Sequence, residues 1–114
     1  MGHYLLTIYQ DPALPPVESS AEDCAETVRR IAEFNQKLRE NGQLLYAGQL
    51  DAPDTAAYTS AGGQLGDGLL HPVSAPVHGL WIIDVPTRTQ AQALAVRAAN
   101  ACGQPVALRP MRAN

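Results

Sequence analysis

Residues 78–85, HGLWIIDV, constrain this chain more than any other segment: the run is almost continuously apolar and is stopped by Pro86. Side chains of a strand alternate between the two sheet faces, so an uninterrupted apolar run marks a central strand covered on both sides. Two other segments carry an apolar stripe at helical spacing, and two helices can cover one face of a sheet. The other face of that strand needs another cover, because an apolar sheet face left in water exceeds the patch size usual for a monomer. The expectation is a sheet with both helices on one side and a second copy of the chain on the other.

The rest of the chain supplies the elements. His3 to Tyr9 (HYLLTIY) reads as a strand stopped by Asp11-Pro12. A first helix is expected over about residues 20–41, with Ser19 and Glu22 forming a capping box. Its stripe is Cys24, Val28, Ile31, Phe34 and Leu38, and its outer face offers Glu26–Arg30 and Glu33–Lys37 pairs before Asn41-Gly42 ends it. Gln43 to Leu50 is a second strand in which Gly48 suggests a bulge or a close backbone approach. A short strand over Thr55 to Ser60 and the glycines Gly62-Gly63, Gly66 and Gly68 suggest a hairpin arm. After Pro86, Thr87 and Gln90 cap a second helix over about 87–102, whose mostly alanine stripe requires close packing. Val106 to Met111 closes the order. Strand, helix, strands, strand, helix, strand is an α+β, ferredoxin-like split βαβ with an antiparallel sheet, in a single domain over residues 1–114.

Composition narrows function by exclusion. Eight basic against eleven acidic residues give a net charge of −3, unlike the strongly basic balance of a nucleic-acid binder. No apolar run reaches the length of a membrane helix, and no basic, apolar export segment opens the sequence. Cys24 and Cys102 fit no zinc or CxxC spacing. The expectation is a cytoplasmic protein with no membrane or nucleic-acid partner, no cofactor and no metal. The glycines match no phosphate-cradling loop, and no Gly-x-Ser-x-Gly elbow is present. Charge is uneven: residues 44–84 hold four aspartates and no Lys or Arg, whereas 85–114 hold four arginines and no acid. Such asymmetry suits either an anionic ligand or attraction between two halves of one domain.

Two groups of residues can carry chemistry. Tyr9 and Asp11 leave the first strand at its end, where a phenol and a carboxylate can orient a small polar ligand. Asp11 before Pro12 equally suits a turn. His71 and His78 flank the start of the apolar strand; either can act as a general base with Asp67 holding its other ring nitrogen. Both are equally at home as polar residues of a strand edge. These five residues place a candidate site at the end of the sheet reached by the first strand and the loop from Asp67 to His78.

Taken in order, YLLTIYQD (4–11), Asn41-Gly42, LLYAGQL (44–50), Asp67-Gly68, GLWIIDVP (79–86), the alanine-rich helix and VALRPM (106–111) resemble the YCII-related, or DGPF-type, domain family over essentially the whole chain. The resemblance implies a ferredoxin-like domain that dimerises sheet to sheet into a dimeric α/β barrel. It also implies an uncharacterised activity, since some relatives accompany sigma factors and one branch includes dehydrochlorinase-type enzymes. Two readings follow: a small-ligand-binding or regulatory accessory homodimer, or a small lyase or dehydrochlorinase-like enzyme using Asp67 with His71 or His78. The sequence departs from the pattern at Leu69-Leu70, where the family has Pro-Phe, and at His71–Pro76, where it has a charged stretch. The first helix also lacks the histidine that the YCII branch carries there.

Overall fold

In the computed structural model, which describes residues 2–15 and 21–112, the chain runs β1 (Gly2–Tyr9), α1 (Ala21–Glu40), β2 (Leu44–Gln49), β3 (Ala57–Thr59), β4 (Leu65–Asp67), β5 (Val77–Val85), α2 (Arg88–Cys102) and β6 (Val106–Pro110). Four strands form one sheet in the order β2-β5-β1-β6, with every neighbour antiparallel. β1 and β2 are therefore parallel, separated by β5, and α1 makes the crossover between them. This is the ferredoxin-like α+β arrangement expected from the element order. β3 and β4 pair only with each other, as a separate two-stranded arm.

Alternation decides what faces the helices. Along β5, Gly79, Trp81, Ile83 and Val85 are buried while Leu80, Ile82 and Asp84 are half-buried, and β1 repeats the pattern with Tyr4, Leu6 and Ile8 buried. The buried set joins Phe34 and Leu38 of α1 and Ala91, Leu94, Ala98, Ala101 and Cys102 of α2 in one core. Both helices thus lie on one face. Trp81, Leu6, Leu38, Ile83 and Val85 are fully buried, and burying each such aliphatic side chain stabilises the fold by about 1.5–3 kcal/mol. The strand expected to be apolar on both faces is covered within one chain on one face alone.

Local signals explain the element ends. The Thr87 hydroxyl accepts from the Gln90 amide at 3.2 Å, capping α2, and Gly103 closes that helix in the left-handed region at φ 69°. Gly42 does the same for α1 at φ 66°, with the Gln43 amide donating to the Leu38 carbonyl. The Ser19 cap lies outside the described residues.

Two expectations for α1 need correction. The inward stripe is Thr27, Ile31, Phe34 and Leu38; Val28 is 51% exposed, because the helix is rotated so that its neighbour Thr27 faces the sheet. Arg29 takes both carboxylates, reaching Glu26 at 2.6 Å and Glu33 at 2.7 Å, instead of the pairs Glu26–Arg30 and Glu33–Lys37. All these groups are exposed, so the choice among such pairs matters little to stability. In β2 the register irregularity falls between Leu44 and Tyr46. Of the two readings of Gly48 the structure shows the close approach: its carbonyl lies 3.0 Å from where a Cβ on Gly79 would sit, and the Tyr46 ring covers Gly48 itself.

Candidate functional site

A cleft lies between α1 and the β2–β5 edge of the sheet. Its volume is about 240 Å³, near the small end for ligand pockets. The floor is apolar: Ile8, Ile31, Ala47 and the indole of Trp81, with Gly48 and Leu80 at the edge. Three polar side chains reach it, Asn35 and Arg39 from successive turns of α1 and Gln49 from the end of β2.

This arrangement follows from the fold. Asn35 is four residues after Ile31 on the inward side of α1, and Arg39 is four after Asn35, so both stand over the sheet edge. Trp81 is held from two sides. Its ring meets Phe34 edge-on, with centroids 5.3 Å apart, and its indole N–H donates to Asn35 Oδ1 at 2.7 Å. An indole nitrogen is donor only, so the bond fixes the Asn35 amide with its NH2 directed elsewhere. Among the described residues Arg39 forms no ion pair. Among the described residues no acid lines the cleft.

Gln49 also borders a wider hollow of about 530 Å³, shared with Leu50, Asp51, Ala52 and His78. The Leu50 amide donates to the His78 carbonyl at 2.7 Å, tying the two strand ends together. His78 Nε2 is buried with no hydrogen-bond partner among the described residues.

No family model matches the sequence, and no curated protein matches it.

The residues singled out from sequence are distributed more widely. The end of β1 and the start of β5 do lie side by side, with Tyr9 opposite Val77 and the Gln10 amide donating to the Pro76 carbonyl. Tyr9 is half-buried, and its amide donates to the Pro105 carbonyl. The Asp11 carboxylate accepts from the Ala13 amide at 2.9 Å, a local turn, while the Asp11 amide donates to buried Gln104. Asp67 ends the β3–β4 arm and is exposed, as is His71 in the following loop. Among the described residues no hydrogen bond or ion pair joins Asp67 to either imidazole. His78 borders the wider hollow, beside Asp51. Nor do any three His, Cys, Asp or Glu among the described residues converge as metal ligands would.

Asn35, Arg39 and Gln49, which meet at the cleft, and the buried Gln104 carry no motif in the sequence. Asn35 left one trace, an amide at an inward position of an otherwise apolar helical stripe. The buried Gln104 accepts from the Asp11 amide and donates to the Pro15 carbonyl at 2.9 Å each, bracing the loop that follows β1.

Proposed function

We propose that the protein is a YCII-related, cytoplasmic homodimer that binds a small organic molecule in the cleft between α1 and the sheet edge, as a ligand-binding or regulatory accessory module. The observation that carries this reading is the cleft itself: polar groups converge from two elements over an apolar floor built on a tryptophan held in place by a hydrogen bond. That combination, an apolar lining with a few oriented polar groups, is what small-ligand sites share. The uncovered sheet face supports the dimer. Leu5, Leu80 and Ile82 lie in adjacent strands with Tyr46 beside them, and a second copy packed sheet to sheet would close a dimeric α/β barrel.

Thermal-shift screening of small organic molecules, repeated on Ala47→Leu to fill the cleft, tests the binding reading. Stabilising compounds that lose their effect in the variant support it; compounds equally effective on both place binding elsewhere. Light scattering at micromolar protein tests the dimer, which requires a mass of about twice the 12.2 kDa of the chain.

A second reading, a small lyase or dehydrochlorinase-like enzyme with a histidine general base, draws on the buried, unpartnered Nε2 of His78 in the hollow beside Asp51. In that reading His78→Gln abolishes turnover of a ligand bound in that hollow while leaving its binding in place.

A further inference from the structure

We infer that the cleft under α1 selects small organic acids, with Arg39 as counter-ion and the Asn35 and Gln49 amides as donors to the carboxylate. The inference rests on the ligand-binding reading above and adds the ligand's charge. Its starting point is the bond from the Trp81 indole to Asn35 Oδ1 at 2.7 Å. Because the indole can only donate, the oxygen of Asn35 is occupied and what the amide has left to offer is its two N–H donors.

Arg39 stands one turn further along the same side of α1 and carries five donors and a fixed positive charge. It has no ion-pair partner among the described residues. Gln49 completes the rim from β2. Among the described residues no carboxylate lines the cleft to compete with an incoming anion. The rim is therefore rich in donors and positive, and the floor of Ile8, Ile31, Ala47 and Trp81 is apolar. The complementary molecule has a carboxylate at one end and a short apolar body at the other. A guanidinium and a carboxylate form the paired, charge-assisted bonds that hold such a group in one orientation.

The chain has one tryptophan, so its single indole N–H resonance reports on the floor of the cleft. Titrations of benzoate and hexanoate should shift that resonance saturably, and benzamide and hexanamide should bind about tenfold more weakly or worse, the loss of one charge-assisted hydrogen bond. Arg39→Gln should weaken the acids by a similar factor and leave the amides unchanged. Asn35→Asp is the sharper variant. It keeps an acceptor for the indole, so the fold and the resonance survive, but it replaces a donor with a negative charge and should abolish acid binding. If the amides bind as well as the acids, the charge assignment is wrong and the cleft still binds ligands. If neither class moves the indole resonance, the cleft reading and the charge assignment both fall.

Discussion

The cleft under α1 and the β3–β4 arm make opposite uses of sequence. The cleft is assembled from β1, α1, β2 and β5, from side chains between positions 8 and 81, and its Trp81 and Asn35 are held by packing and a hydrogen bond. The arm carries the local signature, Asp67-Gly68 among glycines, yet it pairs only with itself and leaves Leu65 74% exposed. Motif density and chemical convergence are separate properties: a motif is a stretch of chain, whereas a site is a place where distant stretches meet. If this contrast is right, changes in the cleft cost stability or binding and changes in the arm cost little.

The largest effect is expected from Trp81→Ala. Trp81 is 2% exposed and supports both Phe34 and Asn35, so denaturant unfolding should show a loss of about 3–5 kcal/mol. A loss under 1 kcal/mol would mean that the cleft floor is not part of the core. Gly79→Ala is next. A Cβ there would meet the Gly48 carbonyl at 3.0 Å and the Ile8 methyl at 3.3 Å, and backbone cannot move away as a side-chain tip can. A destabilisation of about 1–3 kcal/mol is expected, and no change would mean that β2 and β5 are farther apart than described.

Asn35→Leu leaves the indole N–H without an acceptor and should cost about 1–3 kcal/mol, whereas Asn35→Asp should recover most of that loss. Equal losses in the two variants would show that the Trp81–Asn35 bond is not what holds the indole. Leu65→Ser on the arm should change stability by less than about 0.5 kcal/mol. A larger loss would reveal that the arm is buried against something, a second copy included.

The fold was legible because periodicity carries it. The strand HYLLTIY and the helical stripe through Ile31, Phe34 and Leu38 each state which side faces the core, HGLWIIDV marks the centre of the sheet, and the order of elements then leaves few topologies. The stripe was misread at one place, Val28 against Thr27, because both are small β-branched residues and spacing alone cannot rank neighbours on a helix. The site was less legible. Asp67 and the histidines drew notice through chain proximity to a glycine-rich signature, but chain proximity does not fix where an arm points. Arg39 and Gln49 read as ordinary surface polar residues, and their meeting depends on the register that sets Gln49 opposite Gly79.

The central claim is that the cleft under α1, and not the arm, receives the ligand. Mapping backbone amide chemical shifts during a benzoate titration tests it most directly. The account predicts saturable shifts at Asn35, Arg39, Gln49 and Trp81, with Asp67 and His71 unmoved. Shifts concentrated at Asp67, His71 and the loop between them, with Asn35 and Trp81 unchanged, would contradict it.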